Sequence, residues 1–248
     1  LNSIFSSNNW FVRPLPNEKT EIRLFLFPYA GAGPAVFGKW LTDFDTHIEP
    51  LIAHYPGRGA RHNEPPIKRI DMLVEKLVEA IQTFLDKPFA FFGHSFGGLV
   101  AFELAKQVQP QTLFISGCRA PHLPNIYPLI HHLPDPEFTK SLQELDGIPA
   151  EISDNSELME LLLPMLRADF EAFESYQPTS HQLSCPIIAF GGLDDPRIGQ
   201  EQLEGWDLLT NARFKSQYFP GDHFFITDHK TEVIASINSE LISFHANG

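Results

Sequence analysis

Gly93-His94-Ser95-Phe96-Gly97 places a serine in the pattern G-x-S-x-G, and the residues on either side suit a nucleophile. Pro88-Phe89-Ala90-Phe91-Phe92 is an uncharged aromatic run that reads as a buried strand, and Gly98 to Ala105 reads as a helix. At such a strand-to-helix corner the serine is held in a strained turn with its hydroxyl above the sheet edge. Glycine is needed on both sides because backbone packs on backbone there. Composition alone would produce the pattern by chance in roughly 8% of chains of this length. A strand before it and a helix after it lower that by about a factor of ten. Ser95 is therefore the candidate nucleophile.

A serine of this kind needs a base and an acid, in the chain order Ser, Asp or Glu, His. Pro186-Ile187-Ile188-Ala189-Phe190 reads as a strand running into Gly191-Gly192-Leu193-Asp194-Asp195-Pro196, which puts an acid at the sheet edge that carries the serine. The next strand, Phe214 to Phe219, ends in Pro220-Gly221-Asp222-His223 at that same edge. His229 falls where the last helix begins and His245 lies close to the C-terminus, so His223 is the candidate base. Asp194 and Asp195 are adjacent and their side chains diverge. The Gly-x-x-Asp spacing counted from Gly192 favours Asp195 as the orienting acid. Asp194 is then a turn residue, although Asp before Pro is also good turn chemistry for Asp195.

These loops must be carried by alternating strands and helices. Ile22 to Phe27 reads as a strand ending at Pro28, and Ile48 to Tyr55 as another, entering Pro56-Gly57-Arg58-Gly59-Ala60-Arg61-His62. Apolar residues at 70, 73, 74, 77, 78, 81 and 85 repeat at helical spacing. Thr112 to Ser116 is a further strand. Strands separated by helices predict an α/β fold with a mostly parallel sheet, covered on both faces and bearing its site at the strand carboxyl ends. The stretch from Pro121 to about Tyr176 breaks the alternation: five prolines lead into an apolar stripe of Leu158, Leu161, Leu162, Met165, Leu166, Phe170 and Phe173. It is expected to be a helical lid, kinked or divided at Pro164. Asp169 falls on the face of the stripe and is left without a role.

A chain of 248 residues that is 43% hydrophobic fits one domain spanning residues 1–248. Cys118 and Cys185 form neither a disulfide framework nor a metal-ligand spacing. No basic segment followed by an apolar one opens the sequence, and no run of eighteen apolar residues occurs, so a cytoplasmic location without membrane association is expected. The net charge of -13 disfavours nucleic acid as a partner.

With these pieces placed, the chain resembles the type II thioesterases associated with nonribosomal peptide and polyketide synthases, a family of α/β-hydrolase fold. Phe27-Pro28-Tyr29-Ala30-Gly31, Tyr55 to Arg61, Gly93 to Gly98 and Ser116-Gly117-Cys118-Arg119-Ala120-Pro121 carry the resemblance, with Leu166-Arg167-Ala168-Asp169-Phe170, Asp195 and His223. Tyr29 stands where the family usually has His, and Ala32 replaces the second Gly of that run.

The resemblance implies hydrolysis of acyl groups from the phosphopantetheine arm of an acyl- or peptidyl-carrier protein, in an editing role. It implies backbone N–H donors at Ala30 and Phe96 for the oxyanion, no metal or cofactor, and a monomer. A chamber for short or medium acyl chains is expected under Leu162, Met165 and Phe170. Arg58, Arg61 and Arg119 are candidate contacts for the arm's phosphate or an acidic carrier, unless they pair with nearby acids. A medium-chain fatty acyl hydrolase, a general carboxylesterase and a non-catalytic binding module on the same scaffold remain as alternatives.

Overall fold

Six parallel strands and one short antiparallel edge strand form a single sheet in the order β1-β3-β2-β4-β5-β6-β7 in the computed structural model, which describes residues 8–144 and 155–245. The strands are β1 (Phe11–Val12), β2 (Ile22–Phe27), β3 (Ile48–Ala53), β4 (Phe89–His94), β5 (Leu113–Ser116), β6 (Ile187–Gly192) and β7 (Phe214–Phe219). β1 is the strand the sequence does not announce: two residues are too few for alternation to register, and it pairs antiparallel with β3. The helices are α1 (Ile70–Ile81), α2 (Phe96–Val108), α3 (Asp135–Glu144), α4 (Ser156–Glu174), α5 (Gln200–Glu204), α6 (Phe225–Asp228) and α7 (Lys230–His245).

The sheet is apolar on both faces, as parallel strands under crossover helices must be. Phe25, Phe27, Leu51 and Phe91 point to one side, where they pack with Leu73 and Leu77 of α1 and Leu104 of α2. Leu24, Leu26, Phe92 and Phe114 point to the other, against Phe37, Trp40 and the Val233–Ile237 face of α7. Every residue of β2, β3 and β6 is buried, including Arg23 of β2 and Glu49 of β3, which pair with each other at 3.0 Å.

Between Pro121 and Tyr176 the described residues contain no strand. α3 and α4 bring Ile130, Phe138, Leu142, Met159, Leu166 and Phe170 into a small core of their own. Asn155 caps α4, its side chain accepting from the N–H of Leu158 at 3.0 Å. Of the two expected effects of Pro164, division of the helix does not occur, since α4 runs through it from Ser156 to Glu174. Pro164 is solvent-facing, so the carbonyl whose helical bond it deletes remains open to water. Leu161, read as part of the apolar stripe, instead faces solvent at 75% exposure.

Candidate active site

The turn from β4 into α2 holds Ser95 at φ 53° and ψ −119°, a conformation that L side chains adopt only when their surroundings enforce it. The Ser95 N–H donates to the Ser116 carbonyl at 2.8 Å, which ties the elbow to the neighbouring strand. A Cβ at Gly93 would run into the carbonyl of Gly97, and a Cβ at Gly97 into that of Phe27, so both outer glycines of the motif are sterically required. Phe96 is the first residue of α2, and its N–H, like those of any first helical turn, has no intrahelical acceptor. Ala30 stands opposite it on the loop after β2, and both residues line the same small cavity as Ser95.

His223 follows β7 and is buried. Its Nδ1 lies 2.7 Å from Oδ2 of Asp195, which follows β6, so Nδ1–H donates to the carboxylate and Nε2 is left to act as a base. Nε2 has no hydrogen-bond partner among the described residues, and His223 shares two cavities with Ser95. Oδ1 of Asp195 accepts from the N–H groups of Arg197 (2.8 Å) and Ile198 (3.1 Å). Burial by itself would raise the Asp195 carboxyl; the His223 hydrogen bond and these two N–H donors outweigh it and hold the group below the usual aspartate range. Burial also lowers the His223 imidazole, against the raising effect of Asp195, and the Arg197 charge lowers it further. Asp194 takes no part: its carboxylate accepts from the Gly221 N–H at 3.4 Å and shapes the turn.

His94, between Gly93 and Ser95, is fully buried with its ring centroid 5.1 Å from that of His223, and its Nδ1 is 2.9 Å from the Ser116 hydroxyl. Burial and the charges of His223 and Arg197 push it well below the ordinary histidine value, which makes it a neutral wall for the base. Tyr29 packs edge-on to both His94 (5.8 Å) and Phe224 (5.2 Å). Cys118 lines the second of the two cavities, its thiol pushed up to about 12 by burial.

Two of the three arginines expected to meet substrate face inward instead. Arg58 is buried and donates to both oxygens of Asp169 at 2.8 Å, and also to the Ala32 carbonyl at 3.1 Å. Arg61 is buried as well, donating to Glu64 at 2.9 and 2.6 Å and to the His54 carbonyl at 2.7 Å, with Trp10 against its guanidinium. A guanidinium drawn under a loop must satisfy its donors there, which removes both from solvent and from any arm or carrier. Arg119 remains at the site and half-buried.

Of the expected chamber residues, Phe170 lines both cavities beside Ser95. Leu162 packs against the small core between α3 and α4, and Met165 is buried; neither lines these cavities. Phe173 takes their place, and Phe224 and Arg197 join the lining. The helical spacing announced Phe173, but nothing local announced the other two beyond their closeness to His223 and Asp195. A groove of about 690 Å³ between α1, α2 and the end of α4 is more voluminous, but it contains no serine–histidine pair near a strand end.

The comparisons with known proteins agree with this geometry. The family profile described as Thioesterase domain matches residues 22–241. The gramicidin S biosynthesis protein GrsT of Aneurinibacillus migulanus is 40% identical over 241 residues, covering 94% of each chain. The protein named linear gramicidin dehydrogenase LgrE of Brevibacillus parabrevis is 39% identical over 96% of this chain and 95% of its own. That name belongs to the relative, whereas the profile covering this chain is a thioesterase one. The structure of the type II thioesterase BorB from the borrelidin biosynthetic cluster superposes with a TM-score of 0.86 at 30% identity, over 94% of this chain and 97% of the other. The chain thus belongs to the thioesterase family, and within that family it is a type II thioesterase of α/β-hydrolase fold.

Proposed function

We propose that this enzyme hydrolyses acyl groups from the phosphopantetheine thioester of carrier proteins and so edits a nonribosomal peptide or polyketide synthase. The single observation that supports it most is the Ser95 elbow sharing its cavities with a His223 already hydrogen-bonded to Asp195, inside a chain whose residues 22–241 match the thioesterase family.

In this reading Ser95 Oγ attacks the thioester carbonyl as His223 Nε2 takes its proton, and Asp195 steadies the resulting imidazolium. The N–H groups of Phe96 and Ala30 receive the tetrahedral oxyanion. Collapse breaks the carbon–sulfur bond, His223 returns the proton to the departing thiolate, and water cleaves the acyl-serine by the reverse path. The segment from Pro121 to Tyr176 acts as the lid of a single domain. No helix among the described residues is long and apolar enough to cross a membrane. A cytoplasmic site of action completes the proposal.

The two cavities that contain Ser95 and His223 hold about 10 and 50 Å³. That favours short acyl groups over the medium chains named for the human fatty acid synthase thioesterase, 32% identical over 228 residues. The test compares one acetyl group on a carrier protein, on coenzyme A and on a pantetheine mimic. Remote binding energy should give the carrier the highest kcat/KM. Equal efficiency on all three thiols would remove the carrier from the proposal.

A further inference from the structure

Arg119 is the one candidate arginine that keeps its charge at the site, and its surroundings are unusual for a protein with 31 acidic and 18 basic residues. Its guanidinium is half-buried, donating to the main-chain carbonyls of Ala120 (3.3 Å) and Leu123. Among the described residues no carboxylate pairs with it. Desolvation accordingly lowers its pKa. Withdrawing a cation from water without an anion is costly, and a fold with this many acids had ample means to avoid it.

The position of the group is equally specific. Arg119 lines two adjoining cavities. One, of about 50 Å³, also contains Ser95, His223 and Arg197. The other, of about 320 Å³, is bordered by the exposed His122, Pro124 and Gln177. Asn125, Phe173 and Glu174 are common to both, so together they form a passage from the surface to the nucleophile with Arg119 at its waist. The acid in this wall, Glu174, is already occupied: it accepts from the N–H groups of Ile130 (3.0 Å) and His131 (3.1 Å) and from the His131 ring. Arg197, on the same wall as Ser95, adds a second positive charge.

We infer that Arg119 is an anion subsite of the substrate passage, where its guanidinium takes an anionic oxygen group remote from the scissile thioester. Two groups of a carrier-borne substrate have that chemistry. One is the phosphate of the arm, which an extended arm holds about 15 Å from the sulfur at main-chain bond lengths. The other is a carboxylate at the far end of a dicarboxylic acyl group. In the first case the arm enters past Arg119 and the acyl group occupies the small cavity under Tyr29; in the second the acyl group occupies the passage. The inference rests on the thioesterase reading above, because it needs a substrate in the passage.

Three thioesters separate the cases: acetyl-pantetheine, acetyl-phosphopantetheine and glutaryl-pantetheine, each assayed with the wild-type chain, Arg119→Gln and Arg119→Lys. If the arm's phosphate is bound, Arg119→Gln loses about tenfold more kcat/KM on acetyl-phosphopantetheine than on acetyl-pantetheine, chiefly through KM, the scale of one charge-assisted contact. If a carboxylate is bound, the extra loss falls on glutaryl-pantetheine. Arg119→Lys retains part of the discrimination because charge survives while the planar fork does not. In either case raising ionic strength narrows the wild-type preference. Equal losses on all three thioesters, or no loss on any, would overturn the subsite. A wild-type chain inactive on every thioester would instead overturn the thioester hydrolysis on which it rests.

Discussion

Asp169 of the helix α4 and Arg58 of the loop after β3, 111 positions apart in sequence, meet through two hydrogen bonds of 2.8 Å with both side chains buried. The same Asp169 carboxylate accepts the Gly31 N–H at 2.8 Å, so one acid joins the proposed lid to the loop bearing the proposed oxyanion donor Ala30. Asp169→Asn keeps the shape and leaves the Arg58 charge unpaired in the interior. It should cost about 3–5 kcal/mol in denaturant unfolding and lower kcat as the Ala30 loop loosens. Glu64→Gln, which opens the Arg61 pair at a carboxylate 44% exposed, should cost under about 1 kcal/mol. Similar costs for the two variants would mean that burial of the Asp169 pair carries no special weight.

Ser95→Ala should leave the fold intact by circular dichroism and reduce kcat on a pantetheine thioester by about 10⁶-fold. Retention of more than about a hundredth of wild-type turnover is incompatible with an acyl-serine intermediate at this position.

Asp195→Asn should lower kcat by about 10⁴-fold, because an amide cannot hold His223 in the tautomer that leaves Nε2 free. Asp194→Asn removes only the 3.4 Å contact to Gly221 and should change kcat much less. Steady-state kinetics of the two variants, side by side, read the ranking directly; the reverse order would move the orienting role to Asp194.

The pH profile follows from His223. Burial places its pKa below the usual 6.5 in the folded chain, and the neutral form is the active base. The acid limb of kcat/KM should therefore lie below pH 6.5. Between the folded and unfolded values the unfolded chain binds more protons, so this contribution to stability is complete above pH 6.5 and is lost as pH falls through the folded pKa. His94 is displaced in the same direction and adds to the loss. Melting temperature and kcat/KM should both decline on acidification from pH 7; an acid limb above pH 6.5 would contradict the buried geometry.

The sheet and the triad were legible because each announces itself locally. β2 and β7 match their sequence readings at both ends because turn residues bound them: Pro28 follows β2, and β7 lies between Ala212-Arg213 and Pro220-Gly221, although β7 itself is only partly buried. Ser95, Asp195 and His223 each sit just after a strand, where spacing alone fixes the sheet edge. Arg58 and Arg61, open in sequence to substrate contact or to pairing with nearby acids, were not decidable for the converse reason. Their direction depends on Asp169 and Glu64, and the first of these partners comes from a helix that no local pattern places over that loop. The signal available was Asp169 itself, an acid among Leu166, Phe170 and Phe173, since a carboxylate on a buried face requires a partner. At Pro164 the sequence leaves a kinked and a divided helix equally open, because it gives a proline's presence and not its exposure.

Cys118 has a chemical consequence for an enzyme that handles thioesters. A thiolate on the wall beside Ser95 would compete for the acyl group by transthioesterification and return a thioester attached to the protein itself. Burial holds the thiol up to about 12, so at neutral pH it is protonated. Burial and protonation together set this sulfur apart from the proposed nucleophile Ser95 as a poor acceptor for the acyl group.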